Sequence, residues 1–329
     1  MESNSDLRAS QLTEILTALG PTFIKVGQSL SIRTDLLSPA YVRGLKSLQD
    51  NVPAFSNAEA KQIIEEDFGV PLEKIFSNLG DPVAAASLGQ VYRATLQTEY
   101  SDVASDNKDI KVTGENTVTE MGSDSYVDVA VKVQRPDVLF NIALDMYLLR
   151  TAAPIIKKIF NLGTDTVGTV DAWGSGFVDE LDYIAEASNA EMFQKSIQNT
   201  PLAGAVFAPR VSASATSRRV LTTEWVEGER LDKSAEEDVT VLCGVAMNTY
   251  LTMMLETGLL HCDPHPGNLL RTPDGKLCIL DWGMVTTLDS NLQVTLSEQM
   301  LRFLREILFS PVVMQILNNP YLLTSAFFA

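Results

Sequence analysis

The hydrophobic and polar positions of the chain divide it into a helical first part, a strand-rich middle and a second helical part. In "SDLRASQLTEILTALG" the leucines and the isoleucine recur at helical spacing, and Ser5 is predicted to cap that helix. A second helix is predicted at "SPAYVRGLKSLQD". A third begins at Ser56, where Glu59 completes a capping box, and ends at Gly69. Residues 1–80 are therefore predicted to form an all-helical extension.

The middle of the chain reads as two strands separated by an acidic insertion. The segments "PVAAASLGQVYRATL" and "VDVAVKVQRP" are short and rich in valine and small residues, as strands of a sheet are. Between them, residues 99–128 carry eight acidic residues and two lysines. A segment of that composition cannot bury enough apolar surface to fold by itself. We therefore predict a solvated, partly disordered insertion between two strands of a hairpin.

Helical patterns return over residues 137–196, with a predicted interruption around "FNLGTDTVGTVDAWGSG". The segment "RRVLTTEWVEGERL" then reads as a strand that runs into a linker. A long apolar helix follows and ends at Gly258, and a Pro-Asp-Gly-Lys turn at 273–276 precedes the strand "KLCILDWG". No stretch is long and uninterrupted enough to suggest a membrane-spanning helix, so none is predicted.

This order of elements predicts an α+β, two-lobed protein-kinase-like fold. We expect an N-terminal helical extension over 1–80, an N-lobe with extra helices over 81–225, and a helical C-lobe over 226–329. The formal net charge of −17 argues against a nucleic-acid-binding surface, since phosphate backbones select clustered lysine and arginine. Nucleic acid is therefore not an expected partner.

Candidate chemistry is concentrated in the loop "HCDPHPGNLL", which contains both histidines of the chain. Three interpretations compete for it. His261, Asp263 and His265 could bind a transition metal, since two imidazoles and a carboxylate form a known ligand set. A turn rich in Pro, Gly, Asn and Asp can also be no more than a turn. The third interpretation is phosphoryl transfer.

Phosphoryl transfer requires a base and a metal ligand on one loop, spaced as His-x-Asp-x-x-x-x-Asn, followed by Asp-Phe-Gly. His261, Asp263 and Asn268 have this spacing, and Asp281-Trp282-Gly283 follows after a hairpin. On this interpretation Asp263 is the base or orients water. Asn268 and Asp281 supply the oxygen ligands that Mg²⁺ prefers, and the histidines are architectural.

Other parts of such a site can be found in the same order. A kinase needs a strand lysine that holds the nucleotide phosphates, and "VAVK" places Lys132 in a predicted strand. The segment "FVDELDYIAEASNAEMF" offers Glu180, Asp182 and Glu186 on one predicted helix, from which a glutamate could orient the lysine. The backbone of Glu224 to Val226, at the end of a strand, could hydrogen-bond adenine.

Four stretches together give the chain a family resemblance from Arg8 to about Leu296. These are "FIKVGQSL", "PVAAASLGQVYRA", "ELDYIAEASNAE" and "LLHCDPHPGNLL" with "LDWG". With them the sequence resembles the UbiB (AarF-domain) family of atypical kinase-like proteins, and most closely its plastid and cyanobacterial branch. After Leu296 the resemblance fades, and we expect a C-lobe shorter than that of a kinase.

The resemblance implies a set of residue roles. The Lys-x-Gly-Gln element folds over the active site, so that Lys25 and Gln28 gate it. Glu180 and Asp182 pair with that element, and Glu186 pairs with Lys132.

The nucleotide loop departs from ordinary kinases. Ala84, Ala85, Ala86 and Ser87 precede the single Gly89, where a kinase would have three glycines. Alanine forbids some of the backbone conformations that glycine permits, so the loop must be shaped differently. The resemblance implies that these residues still bind nucleotide and permit ATP hydrolysis while suppressing protein phosphorylation.

The resemblance further implies an ATP- and Mg²⁺-dependent atypical kinase or ATPase that supports prenylquinone or isoprenoid-lipid metabolism. Its expected partners are ATP and a lipid or quinone-precursor molecule, with peripheral membrane association. Its expected location is the chloroplast, with the mitochondrion second. Two alternatives remain open beside the metal site: a nucleotide-binding pseudokinase scaffold without turnover, and a small-molecule phosphotransferase.

Overall fold

The structure, a computed structural model, describes residues 2–31, 37–49, 52–100, 127–161, 163, 165–235, 237–263 and 265–308. Most of the predicted insertion, residues 101–126, lies outside the described residues. Its two flanking strands are hydrogen-bonded antiparallel neighbours, so the insertion joins adjacent strands as the hairpin prediction requires.

The first part of the chain consists of helices in the described residues: α1 (Glu2–Leu19), α2 (Pro21–Ser31), α3 (Pro39–Lys46), α4 (Asn57–Phe68) and α5 (Leu72–Ile75). The capping box is confirmed, since the Ser56 side chain accepts from the Glu59 amide and the Glu59 carboxylate accepts from the Ser56 amide. The predicted stop is also confirmed, because Gly69 closes α4 with a φ of 67°.

Three details of the extension differ from the prediction. Strand β1 (Phe76–Ala85) already begins at Phe76, so the extension is not helical as far as residue 80. Helix α1 begins at Glu2, so Ser5 lies inside the helix and does not cap it. Helix α2 is not among the predicted helices. Gly20 turns the chain with a φ of 106°, and Pro21 begins α2. Proline lacks an amide proton, which costs nothing here because the first N–H groups of a helix have no partner within it.

The later elements follow in chain order: β1 (Phe76–Ala85), β2 (Gly89–Leu96), β3 (Val127–Gln134), α6 (Val138–Phe160), α7 (Thr166–Asp179), α8 (Tyr183–Ile197), β4 (Val206–Phe207), β5 (Val220–Glu224), β6 (Glu229–Arg230), α9 (Val239–Thr252), β7 (Leu259–His261), β8 (Leu269–Arg271), β9 (Leu277–Ile279), β10 (Val285–Thr287) and α10 (Ser290–Leu308). Helices beside mainly antiparallel sheets confirm the α+β class. The predicted domain boundaries stay a prediction.

The largest sheet has the order β1-β2-β3-β5, and each strand is antiparallel to its neighbour. Its buried side packs against α4 in one apolar core that contains Ile64, Tyr92 and Val131. A second core lies under α8, α9 and the short sheet of order β4-β9-β8-β6, and it includes Phe193 and Trp282. The polar loop connects β7 to β8 beside this second core.

The helical segment after β3 is less interrupted than predicted. Helix α6 runs to Phe160 in spite of Pro154, and α7 already begins at Thr166, with Asp165 as its cap. The break therefore covers only residues 161–165. A cap at Asp165 accounts for the restart, since its side chain accepts a hydrogen bond from the Gly168 amide at 3.1 Å.

Two helical segments, Val138–Ile159 and Val239–Thr257, are long and apolar enough to cross a membrane by length and composition. The prediction of no membrane-spanning helix used a stricter criterion. It required an uninterrupted apolar stretch, whereas the helical segment Val138–Ile159 meets the criterion with Asp145 and Arg150 inside it.

Candidate active site

Lys132 lies between two carboxylates at the centre of the candidate site. Strand β3 pairs it with Val91 on one side and Leu221 on the other, which fixes its position in the sheet. Its ammonium donates to both oxygens of Glu186, at 2.8 and 2.9 Å, and to Asp281 Oδ2 at 3.1 Å. The structure thus joins a strand lysine, a glutamate in the first turn of α8 and the aspartate after β9.

Burial and charge act against each other in this cluster. Burial works to lower the pKa of Lys132, but Asp281 and Glu186 outweigh it and hold that pKa well above its ordinary value. Burial raises the pKa of Glu186 to about 7, although Lys132 partly offsets the effect. Desolvation also works to raise the pKa of Asp281, yet Lys132 and the Gly283 amide hold it well below its ordinary range. Asp281 is therefore the carboxylate that stays ionised.

His261 ties the polar loop to Asp281. Its Nε2 lies within hydrogen-bond distance of the Asp281 carbonyl, and the Asp263 amide donates to its Nδ1 at 3.2 Å. Since a carbonyl only accepts, Nε2 carries the proton and the ring is the neutral tautomer. The His261 imidazole thereby connects the backbones of Asp263 and Asp281, which were predicted to belong to one site.

Asn268 is brought to the same place by a backbone contact. Its carbonyl accepts from the Leu280 amide at 2.9 Å, so Asn268 and Asp281 are held on adjacent segments. An amide oxygen and a carboxylate are hard donors that suit Mg²⁺, and the Asp281 side chain keeps 42% of its surface exposed for a ligand. The donor chemistry of these two residues therefore fits the ion that the sequence predicted.

The transition-metal alternative finds no support in this geometry. Both ring nitrogens of His261 are engaged within the protein, and His265 Nδ1 accepts from the Gly267 amide at 2.9 Å. Over the described residues, no group of three or more His, Cys, Asp or Glu side chains is arranged to hold a metal.

Trp282 anchors the Asp-Trp-Gly segment in the second core. Its buried indole stacks on Phe193 with ring centroids 4.3 Å apart and meets His261 edge-on, and its Nε1 donates to the Ile279 carbonyl at 3.0 Å. Asn189, on α8, donates to the Trp282 carbonyl at 3.0 Å. Asn189 lies in the stretch "ELDYIAEASNAE" but has no predicted role. Its position three residues after Glu186 on the same helix was the available signal.

The extension reaches the site through α2. Lys25 Nζ lies 2.7 Å from Glu180, and both side chains are largely buried. Burial works to lower the pKa of Lys25, but Glu180 outweighs it, and Asp263 and Asp281 contribute in the same direction. The pairing of Glu180 with the Lys-x-Gly-Gln element is thus present in the structure.

Asp182 does not take part in that pairing. It is the N-cap of α8, where its Oδ1 accepts from the amides of Ile184 and Ala185 at 3.1 Å each. Glu180 follows the last turn of α7, so Glu180, Asp182 and Glu186 do not share one helix as predicted. Helix α7 ends before Asp182, and α8 begins after it, because the Asp182 side chain caps the new helix there.

The alanine-rich loop is fixed from two sides. Arg135 donates from Nε and Nη2 to the Ala86 carbonyl, at 3.1 and 3.0 Å. Ser87 is buried, and its hydroxyl contacts Gln28 Oε1 at 3.5 Å, while Gln28 Nε2 donates to the Leu48 carbonyl. Ala84 and Ala85 belong to the end of β1. The contact with Gln28 connects this loop directly to the Lys-x-Gly-Gln element.

Backbone hydrogen bonds within the protein occupy two of the three amides that were predicted to face adenine. The amide of Glu224 donates to the Arg210 carbonyl at 2.8 Å, and the amide of Trp225 donates to the Asp128 carbonyl at 3.1 Å. Val226 forms no backbone hydrogen bond with the described part of the chain. Of the predicted hinge positions, Val226 is therefore the one whose amide is available to a ligand.

Tyr183 is a further residue of the site that the sequence analysis did not single out. The Lys132 ammonium lies 5.0 Å from the centroid of its ring. Its hydroxyl is buried without a hydrogen-bond partner in the described structure and faces Gly89, where a Cβ would lie 2.6 Å away. Tyr183 thus connects the lysine to the first residue of β2, and only glycine fits opposite it.

Comparison with protein families matches most of the chain from residue 47 onward. Residues 47–127 and 117–306 match the model of the ABC1 atypical kinase-like domain. An uncharacterized protein of the cyanobacterium Synechocystis is 40% identical over 291 residues, which cover 86% of this chain and 38% of that protein. An uncharacterized aarF domain-containing protein kinase of Arabidopsis thaliana, named as chloroplastic, is 38% identical over 280 residues, covering 85% and 36%. This chain therefore spans less than two fifths of the length of these relatives.

A solved structure shares the fold. The complex of Rv3197 with erythromycin from Mycobacterium tuberculosis superposes with a TM-score of 0.55 at 25% sequence identity. The match covers 87% of this chain and 67% of that one. The kinase-like fold predicted from the order of elements is thereby confirmed.

Proposed function

This chain belongs to the ABC1 atypical kinase-like family, and on that premise we propose that it is an ATP-binding, Mg²⁺-dependent atypical kinase or ATPase of the UbiB type. The observation that carries the proposal is the Lys132 ammonium placed between Glu186 and Asp281. This arrangement is what a kinase requires of its strand lysine, its helix glutamate and its metal-binding aspartate.

The residue roles follow from this arrangement. Lys132 holds the nucleotide phosphates, and Glu186 keeps its ammonium in place. Asn268 and Asp281 hold Mg²⁺, which, when bound, neutralises charge on the phosphates. Asp263 accepts the proton of the attacking hydroxyl or orients a water molecule, and the His261 imidazole fixes its backbone.

We further propose that the phosphate acceptor is water or a lipid-linked small molecule of prenylquinone or isoprenoid metabolism, and not a protein. Three contacts support this restriction. The alanine-rich loop is fixed by Arg135 and touches the extension through Ser87, and Lys25 binds Glu180 at the site. On this proposal the extension would occupy the side of the site that the family resemblance assigns to a protein substrate.

The names of the relatives support a plastid location, with peripheral attachment to a membrane; the mitochondrion is the second choice. The cyanobacterial relative fits the same assignment. A lipid-linked acceptor would itself require the chain to work at a membrane surface.

Release of inorganic phosphate from ATP and Mg²⁺ tests the proposal. Asp281→Asn should lower the rate at least about a hundredfold, because metal-ion charge stabilisation contributes several kcal/mol. Asp274→Asn, in the exposed turn between β8 and β9, is the matched control and should keep the full rate. Unchanged turnover in Asp281→Asn would exclude the assignment.

Isothermal titration combined with the phosphate-release assay separates the enzyme from the pseudokinase scaffold. Both should bind ATP in the presence of Mg²⁺, but only the enzyme releases phosphate. Adding quinone-precursor mimics to the phosphate-release assay then tests the acceptor class: a lipid acceptor should raise the rate or gain phosphate itself.

A further inference from the structure

Helix α6 is apolar on two opposite sides, and only one of them is covered by the described protein. Its inner side packs through Val138 and Ile142 against α7 and against Leu88 and Val26. Its outer side carries large apolar side chains that remain well exposed: Phe140, Leu144, Tyr147, Leu148, Ile155 and Ile159. A helix that is apolar all round normally lies inside a protein core or in contact with lipid.

The exposed side chains form one continuous outer face. Their spacing of three, four and seven residues places them on one side of the helix, opposite Val138 and Ile142. From Phe140 to Ile159 the face extends about 29 Å, at 1.5 Å per residue. We call this row of side chains, from Phe140 to Ile159, the outer face of α6.

The charges of α6 differ from those of the rest of the chain. The helix has one acidic residue, Asp145, and three basic ones, in a chain whose net charge is −17. Arg150 pairs with Asp171 at 2.8 Å. Of the two lysines near the end of the helix, Lys158 lies on the outer face and Lys157 on the flank of the helix. Both lysines are exposed, and neither has an ion pair within the described residues. Apolar and aromatic side chains followed by lysines are typical of helices that lie in the surface of an anionic membrane.

We propose that the outer face of α6 binds the surface of an anionic lipid bilayer, with the helix parallel to the membrane plane. This inference rests on the membrane attachment in the proposed function and specifies the surface that provides it. The helix does not cross the bilayer, because its inner side is packed against α7 and α2 and cannot be surrounded by lipid.

The position of α6 gives this surface a consequence for the site. Val26 lies between Lys25 and Gly27 of the gating element, and Leu88 precedes Gly89 of the nucleotide loop. Both pack in the same apolar cluster as the inner side of α6. The membrane would therefore lie one helix thickness from the two segments that close the site, where a lipid-linked substrate could reach it.

Sedimentation with vesicles tests the proposal on the full 329-residue chain. Wild-type protein should bind vesicles of mixed phosphatidylcholine and phosphatidylglycerol, and the double variant Phe140→Glu/Ile155→Glu should lose at least tenfold in affinity. Met247→Glu on α9 is the matched control, since Met247 is 68% exposed and Phe140 67%. It should bind as the wild type does. The Glu variants change exposed side chains, so their unfolding temperature should equal that of the wild type.

A second variant isolates the charge. Lys157→Gln/Lys158→Gln should weaken binding to the anionic vesicles by about 25-fold, at roughly fivefold per lysine, and leave binding to phosphatidylcholine alone unchanged. Equal loss in Met247→Glu, or full binding by Phe140→Glu/Ile155→Glu, would overturn the assignment of this face. So would light scattering that shows a dimer converted to a monomer by the Glu variants, because the face would then bind a second copy.

The vesicle assay and the phosphate-release assay can contradict the two proposals independently of each other. A chain that binds vesicles through another surface, yet hydrolyses ATP, would retain the proposed function and lose this inference. A chain that binds through α6 but releases no phosphate would do the reverse.

Discussion

Replacing Tyr183 by phenylalanine should stabilise the chain and weaken its binding of ATP. The hydroxyl of Tyr183 is buried without a partner in the described structure, directly opposite Gly89. Phenylalanine removes this hydroxyl but keeps the aromatic ring beside the Lys132 ammonium. The substitution therefore isolates one polar atom, which has no bond in the free protein and lies next to the nucleotide loop.

The size of the effect can be worked out from this geometry. A buried polar group without a partner costs about 1–3 kcal/mol, which Tyr183→Phe should recover. For 329 residues the unfolding entropy is about 0.7 kcal/mol per kelvin, so the melting temperature should rise by roughly 1–4 °C. If the hydroxyl donates to a bound phosphate, losing a hydrogen bond to a charged group of about 1.5–3 kcal/mol weakens ATP binding about tenfold to a hundredfold.

Thermal unfolding with and without ATP and Mg²⁺, together with titration calorimetry, measures both effects. Tyr250→Phe removes another buried hydroxyl without a partner in the described structure, and it should show a similar gain in stability. Tyr183→Leu also removes the ring and should lower stability, because the cation–π contact with Lys132 is lost. A lower melting temperature for nucleotide-free Tyr183→Phe would refute the reasoning, since the hydroxyl would then have a partner.

Three further predictions concern the extension and the ion cluster. In urea unfolding, Gly27→Ala should lower the free energy of unfolding by about 1–3 kcal/mol, because the added Cβ would clash with the buried Leu48 side chain. Gly176→Ala on α7, where no atom lies near the added Cβ, should not lower it. The pKa of Glu186 is raised from 4.5 to about 7, so the folded state binds this proton more tightly than the unfolded state does. As the pH rises from 4.5 to 7, the free energy of unfolding of the wild type should fall by about 3 kcal/mol relative to that of Glu186→Gln. Equal dependence of the two free energies on pH would contradict this. Lys25→Gln should cost about 3 kcal/mol because it leaves Glu180 buried and unpaired, while Lys25→Arg should retain most of the stability; equal losses would show that charge is not what matters.

The residues at the centre of the site could be predicted from the order and spacing of the kinase parts, although they lie far apart in the chain. Asp263 and Asn268 belong to one loop, and a loop of that length can place them in few ways. Lys132 follows from the alternation of "VDVAVKVQ", which puts valines on the buried side and the lysine on the other. Lys132 and Asp281 are 149 residues apart, and their contact could be predicted only from the order in which a kinase carries its strand lysine and metal-binding aspartate.

The contacts that could not be predicted are those where one side chain has a choice of partners. Asp182 could have reached the extension, but the amides of Ile184 and Ala185 lie within three residues of it and need an acceptor. Ser87 lies in a loop that usually faces phosphate, and only the packed structure shows its hydroxyl turned toward Gln28, 59 residues away. Spacing in the sequence does not rank such competing partners.

The charges of the site explain why the extension is part of it. Four carboxylates act on two ammonium groups within the cluster, namely Glu180, Glu186, Asp263 and Asp281 on Lys25 and Lys132. The cluster therefore carries an excess of two negative charges when all six groups are ionised, and the raised pKa of Glu180 and Glu186 reflects the burial of charge without enough compensation. Without Lys25 the excess would be three. Helix α2 thus supplies compensating charge, and Lys25 adds to the effect of Lys132 and the Gly283 amide in holding the pKa of Asp281 low. A buried lysine at this position lowers the electrostatic cost of gathering four carboxylates, which covering the site alone would not require.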